Sequence, residues 1–290
     1  ERGRNAGQLM QPSGGAVDSG GTVYVTDAAR GAVQLFKLDG AFVGLVGGEG
    51  KFTDKDLKFT EPTALAVDQG GRMYLCDTGN SRVKAFTAMG RLLFQAGEPK
   101  RVSAAPEGPG VLGMYLPRGI AVDEAGGFLY VADTGNHRIH QLALDGRHVR
   151  PAGRLGRREG EFNLPAGLAG GGPGGLYVTD QGNQRTQILD RQLKPVRTIN
   201  LAAAGPAGMI SRSPVHCAVT RSRDVIVCDG TDRLHALSSA GIYLGSFAGW
   251  RQGLAVPRFV AVAIREPEDL VAIDEGACMW HHFTYRRTES

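Results

Sequence analysis

One four-residue pattern recurs six times along the 290 residues, and this repetition limits the fold more than any other feature of the chain. Tyr24-Val25-Thr26-Asp27, Tyr74-Leu75-Cys76-Asp77, Tyr130-Val131-Ala132-Asp133 and Tyr177-Val178-Thr179-Asp180 are clear copies. Ile226-Val227-Cys228-Asp229 and Val271-Ala272-Ile273-Asp274 are degenerate ones. Successive aspartates are 50, 56, 47, 49 and 45 residues apart. Upstream of each stands a proline, Pro12, Pro62, Pro117, Pro165, Pro214 and Pro257, at offsets of 15, 15, 16, 15, 15 and 17 residues, so one register holds to the end.

Within the second unit, Ala64-Leu65-Ala66-Val67 leads through Gln69-Gly70-Gly71 into the tyrosine run, which predicts a β-hairpin. After Asp77, Thr78-Gly79-Asn80 turns the chain into the alternating Arg82-Val83-Lys84-Ala85-Phe86, and Met89-Gly90 turns it again into Leu92-Leu93-Phe94-Gln95-Ala96. Each unit reads as four short antiparallel strands, a to d. The 43 glycines, spread along the chain, favour short elements and tight turns over long helices. A single unit of this kind cannot bury both of its faces, so six must pack around an axis. The prediction is an all-β six-bladed β-propeller of four-stranded antiparallel blades in one domain over residues 1–290. Its blades fall near 8–50, 57–99, 110–156, 158–202, 210–249 and 252–290.

Leu116-Pro117-Arg118-Gly119-Ile120-Ala121-Val122-Asp123, followed by Leu129-Tyr130-Val131-Ala132-Asp133-Thr134-Gly135-Asn136-His137-Arg138-Ile139, resembles an NHL repeat. Units two, three and four match it strongly, unit one fairly, and units five and six weakly. The resemblance implies a six-bladed propeller such as the one at the C-terminus of many tripartite-motif proteins. Only Arg286 to Ser290 follow Tyr285, too little for a d strand in blade six, while Glu1 to Gln8, where such propellers often find a closing strand, is polar and glycine-rich.

Residues present once per blade lie at six points around a ring and cannot converge on one substrate, so the aspartates, tyrosines and prolines are read as scaffold. Each carboxylate is expected to accept backbone N–H groups of the turn that follows it. Arg82, Arg138 and Arg185 recur at one position and are expected to pair with nearby loop carboxylates. Function is sought where the repeat breaks, on the top face formed by the d-to-a and b-to-c connections. Directly after the repeat proline only blades three and six carry arginine, Arg118 and Arg258, on opposite sides of the channel mouth. Between Gly146 and Arg158 lie five arginines and no carboxylate. Cations that meet phosphates, interleaved with planar side chains that stack bases, suit single-stranded nucleic acid. The candidate RNA-binding residues are Arg118, Arg258, Arg138, His137, Arg154, Arg157, Arg158, Lys51, Lys100 and Arg101, with Tyr115 and Trp250 as aromatic partners. The bland alternative makes Phe52, Phe59 and Phe162 apolar plugs between blades and the arginines a solvated face.

Resemblance to the tripartite-motif propellers, several of which read RNA, implies a non-catalytic module for single-stranded or stem-loop RNA in a ubiquitin ligase or post-transcriptional regulator. The alternative is a protein-interaction module that selects ubiquitination substrates, with the proline-bearing stretch from Gly97 to Met114 as a partner loop. Related propellers that hold a metal on the axis raise an enzymatic reading, but His216 is the one histidine placed near the axis by the pattern, and no catalytic residue, metal or cofactor is expected. Cys76, Cys217, Cys228 and Cys278 lie in apolar runs without metal spacing, which reads as buried thiols and a cytoplasmic protein. Apolar runs are too short for a membrane span or signal peptide, and neither membrane nor DNA is an expected partner. The net charge of +4 permits anion binding without identifying it.

Overall fold

The computed structural model describes residues 2–48, 57–99, 112–170, 174–204, 214–248, 258–265 and 269–285. Blade one consists of β1 (Pro12–Val17), β2 (Thr22–Asp27), β3 (Ala32–Lys37) and β4 (Phe42–Gly47). Blade two is β5 (Pro62–Val67), β6 (Met73–Asp77), β7 (Arg82–Phe86) and β8 (Leu92–Ala96), and a two-residue parallel pair, β9 (Glu98–Pro99) with β10 (Gly113–Met114), links it to the next. Blade three comprises β11 (Gly119–Asp123), β12 (Phe128–Asp133), β13 (Arg138–Ala143) and β14 (His148–Ala152). In blade four run β15 (Pro165–Gly170), β16 (Leu176–Asp180), β17 (Arg185–Leu189) and β18 (Pro195–Asn200), after which α1 (Leu201–Ala204) makes one turn. Blade five is β19 (His216–Val219), β20 (Val225–Cys228), β21 (Arg233–Leu237) and β22 (Tyr243–Ala248). β23 (Phe259–Arg265), β24 (Asp269–Asp274) and β25 (Met279–Thr284) form blade six, three-stranded among the described residues.

Every blade is an antiparallel meander in sequence order, which makes the molecule the six-bladed propeller that the repeat arithmetic predicts. The second strand of a blade is packed on both faces, so β6 and β16 are buried at every position, whereas the outermost β8 alternates between half-buried and exposed. Blades one and six meet directly: Leu9, Val23, Val25 and Phe36 share an apolar cluster with Ala261, Val271, Ile273 and Cys278. Ring closure therefore comes from face packing. Around the axis neighbouring inner strands approach so closely that a methyl group on Gly14 would sit 1.9 Å from the Thr63 carbonyl oxygen, and one on Gly119 1.9 Å from that of Ala166. Hydroxyls bridge the blades at the same level: Ser13 Oγ donates to Pro62 O, Thr78 Oγ1 to Pro117 O and Thr134 Oγ1 to Pro165 O, at 2.6–2.7 Å.

The repeat aspartates are scaffold, but their partners differ from the expectation. In blades two, three and four the backbone donor belongs to the entering loop: Thr60, Tyr115 and Asn163, two residues before the proline, donate their N–H groups to Asp77, Asp133 and Asp180 at 2.6–2.7 Å. The following turn contributes the side-chain amides of Asn80, Asn136 and Asn183 instead. Nε of Arg82, Arg138 and Arg185 donates to the same carboxylates at 2.9, 2.9 and 2.7 Å. Each aspartate thus clamps the incoming loop, the b-to-c turn and the third strand together at the top of its blade. A further partner, on the third strand seven residues beyond the aspartate, was not visible in the sequence pattern: Gln34, His140, Gln187 and His281 all reach the carboxylate of their own blade. His235 in blade five stands 3.6 Å from Asp229, in ion-pair range but beyond a hydrogen bond.

These clamps predict an acid limit to stability. Burial pushes the Asp274 carboxyl up, but hydrogen bonds from His281 and from the backbone of Arg258 and Ala277 outweigh it and hold the group below its ordinary value. Asp229 is lowered in the same way, burial being outweighed by His235 and Thr231. A carboxylate with a depressed folded pKa stabilises fully above its unfolded value, about 3.9, and loses that contribution as pH falls through the folded value. The melting temperature is expected to fall as pH is lowered below about 4, and less steeply for Asp274→Asn, by calorimetry across the series.

Candidate nucleic-acid interface

The loop entering blade four, 153–164, carries the densest basic charge on the top face, and its backbone is fixed before any ligand arrives. Leu155 and Phe162 form an isolated bridge, Phe162 N–H donates to Arg154 O, and Gly156 N–H to Phe162 O. Arg185, already bound to Asp180, extends Nη1 to the carbonyl of Arg157 and Nη2 to those of Arg158 and Glu161, at 2.8–2.9 Å. Gln187 closes the loop from below, accepting the Gly160 N–H and donating to Glu161 O. Gly160 has φ +76°, a conformation that glycine adopts without cost. The loop before blade one repeats this construction with Gly7, φ +79°, whose N–H donates to Gln34 while Gln34 donates to Gln8 O.

On this frame Arg157 and Arg158 are exposed and, among the described residues, no carboxylate lies in ion-pair range of either. Arg154 is 76% exposed and pairs with Glu161 at 2.9 Å. Glu161 is held below its ordinary value by the Arg158 N–H and by Arg154. Arg118 is exposed with no ion-pair partner among the described residues, and Arg258 is exposed but lies 3.2 Å from Glu275.

Other candidates prove to be framework. The Arg138 guanidinium is buried, spent on Asp133 and the Gly113 carbonyl, because its repeat position puts it inside the clamp. His137 takes the left-handed position before β13, φ 57°, and its Nδ1 accepts the Leu164 N–H at 3.0 Å, tying blade three to the loop of blade four. Tyr115 is half-buried, with one face of its ring over Gly135, where an added methyl would sit 2.2 Å from the ring. Phe162, also considered as a stacking aromatic, is fully buried and covers Gly153. Phe59 is buried as well. Lys51, Lys100, Arg101 and Trp250 lie outside the described residues, as does Phe52.

The axis is a different environment from the rim. The inner strands β1, β5, β11, β15, β19 and β23 enclose a channel of about 290 Å³ walled by glycine, alanine, valine, leucine and isoleucine, with His216 and Cys217 as the exceptions. Enclosure in the wall pushes the His216 imidazole down to about 4, so it is neutral at neutral pH, and its Nδ1 accepts the Val262 N–H at 3.4 Å.

The NHL repeat family matches residues 59–86 and 114–142. The chain carries NHL repeats. Its propeller is similar to a gluconolactonase from Xanthomonas campestris (17% identity, 97% of this chain and 88% of that one, TM-score 0.68). It is also similar to a catalytically inactive virginiamycin B lyase from Staphylococcus aureus solved with quinupristin (16% identity, 96% and 82%, TM-score 0.63). A third likeness is to a chain of a nidogen/laminin complex (21% identity, 82% and 80%, TM-score 0.61). At these identities the likeness is one of fold.

Two of those relatives are enzymes by name, so the axis of this NHL propeller was tested for a metal site. A metal there needs several imidazole or carboxylate donors from different blades. The channel wall supplies His216 alone in that role, and among the described residues no group of three histidine, cysteine or acidic side chains is placed to hold an ion. The donor set does not fit. All four cysteines are free and buried; burial pushes the Cys217 thiol up to about 12 and Cys76 higher still. Among the described residues no helix is long and apolar enough to cross a membrane.

Proposed function

We propose that this NHL propeller is a binding module that takes single-stranded or stem-loop RNA on its basic top face. The observation that carries the reading is the set of exposed arginines without carboxylate partners, Arg118, Arg157 and Arg158, two of them on a loop whose backbone is held by Arg185 and Gln187. Fixed cations lose little conformational freedom on meeting a phosphodiester chain, and guanidinium groups both pair with phosphate and stack on bases. On this reading the propeller is the ligand-reading part of a tripartite-motif-type ubiquitin ligase or post-transcriptional regulator acting in the cytoplasm.

Fluorescence anisotropy with a pool of short random single-stranded RNA, across a salt series, tests it. Saturable binding whose logarithm falls linearly with the logarithm of salt, with a slope of about −0.7 per phosphate contacted, is the expected result. No binding at low salt removes RNA as the ligand and leaves selection of protein substrates as the function to pursue.

A further inference from the structure

Beside the basic loop, on top of blade four, lies a polar basin of about 480 Å³ lined by Arg157, Gly182, Asn183, Gln184, Arg185, Thr198 and Asn200. Small-molecule sites occupy roughly 300–1,000 Å³. Two of its polar atoms, Asn183 Oδ1 and Thr198 Oγ1, are shielded from solvent and have no partner in the protein. Buried polar atoms are almost always hydrogen-bonded, so two in one basin call for a ligand. The asparagine cannot relieve the deficit by turning over: its Nδ2 donates to Gly156 O at 2.8 Å and Asp180 Oδ2 at 2.9 Å, which fixes Oδ1 as an acceptor.

The chemistry of the lining selects the occupant. Arg185 is a wall, its Nε, Nη1 and Nη2 already committed to Asp180 and the loop carbonyls. Arg157 is the uncommitted cation, its carbonyl anchored by Arg185 while its side chain is exposed. A bare phosphate would meet the carbonyl oxygen of Asn183, which repels it. A group that offers an N–H to that oxygen, together with a phosphate for Arg157, satisfies both, and a nucleotide carries the two side by side. Thr198, Gln184 and Asn200 supply further groups that donate or accept. No carboxylate lines the basin.

We infer that this basin holds one nucleotide of a bound single-stranded RNA, with its base edge donating to Asn183 Oδ1 and hydrogen-bonding Thr198 Oγ1, and its phosphate on Arg157. The inference rests on the RNA reading of the top face and gives that face a position where base identity matters.

The test uses fluorescein-labelled ten-nucleotide homopolymers of uridine, cytidine and adenosine in anisotropy titrations against the wild-type chain and folded Thr198→Val, Thr198→Ser, Arg157→Ala and Arg91→Ala variants, with melting curves to certify folding. Thr198→Val is expected to weaken the preferred homopolymer about 3- to 10-fold and to alter the ranking of the three, with Thr198→Ser restoring it. Arg157→Ala lowers the salt slope by about one, and the distal Arg91→Ala leaves both readouts unchanged. If the wild type binds RNA while Thr198→Val keeps its affinity and ranking, the basin is overturned and the top-face reading stands. A wild type that binds no homopolymer at low salt overturns both. Displacement of labelled RNA by polyglutamate as readily as by unlabelled RNA shows that any anionic chain is accepted, and overturns base reading alone.

Discussion

Asp133→Ala is expected to cost about 3–5 kcal/mol, the range for removing one partner of a buried ion pair. Asp133 is fully buried and receives Tyr115 N–H at 2.6 Å, Arg138 Nε at 2.9 Å, Asn136 Nδ2 at 2.9 Å and His140 Nε2 at 3.1 Å. Alanine replaces all of these acceptors with a methyl group. The Arg138 charge then stays buried with the Gly113 carbonyl as its remaining printed-length contact at 2.7 Å, and the loop through Tyr115 loses its anchor. Cavity terms are secondary, since an unpaired buried guanidinium costs more than the lost volume. Asp145→Ala is the matched control, because that carboxylate sits in an exposed turn and accepts only the Arg147 N–H. The control is expected to stay within about 1 kcal/mol, since losses of this kind are limited to one surface hydrogen bond. Urea unfolding followed by circular dichroism separates the two variants. Equal midpoints would falsify the view that the clamp holds the top of blade three.

The same clamps show which parts of the molecule could be read from sequence. Prolines and aspartates recur with one identity at one offset, so the pattern located all six sheets: β1 to β4 span 12–47, inside the expected 8–50, and β15 to β18 span 165–200, inside 158–202. The seventh residue after each aspartate escaped notice because its role is constant while its identity is not. Glutamine, histidine and, in blade two, Lys84 occupy it, and Lys84 bonds the Lys58 carbonyl and stands over Phe59. A search for identity sees variation there; a search for a polar residue on a buried strand would have found it. The loop before blades one and four carried a signal that was present and unread. Gly3 and Gly7 stand nine and five residues before Pro12, as Gly156 and Gly160 do before Pro165.

Charge was legible only by position. Arg138 and Arg157 are the same residue type on the same face, yet one is scaffold and the other solvent-facing, because the first sits five residues after a repeat aspartate and the second in the entering loop. Aromatic residues divide likewise: Phe162 precedes the repeat proline by three residues and must fill the space over Gly153, so it cannot stack a base. The basin beside Arg157 was hidden for a different reason. It is built from a turn, the end of β18 and a loop of the preceding connection, and only the orphaned state of Asn183 Oδ1 and Thr198 Oγ1 marks it.

Arg157→Glu/Arg158→Glu is expected to weaken RNA binding about 100-fold at low salt with the melting temperature unchanged, since it removes two phosphate contacts and sets two like charges in their place. Both side chains are exposed and neither supports the fold through its guanidinium; the loop is held through their carbonyls, which the substitution keeps. At the channel mouth the two arginines are not equivalent. Arg118 has no ion-pair partner among the described residues, whereas Arg258 is part-neutralised by Glu275 at 3.2 Å, so Arg118→Glu should cost more binding than Arg258→Glu. Arg185→Ala supplies the contrasting case: it frees Asp180 and three loop carbonyls, and lowers the melting temperature and the affinity together. A charge-reversed loop that binds RNA as well as wild type would remove the top face from the mechanism, while loss of binding only in variants that also melt early would make the loop a structural element. Loss of binding at constant stability, graded as Arg157/Arg158, then Arg118, then Arg258, is the pattern that exposed and unpaired charge dictates.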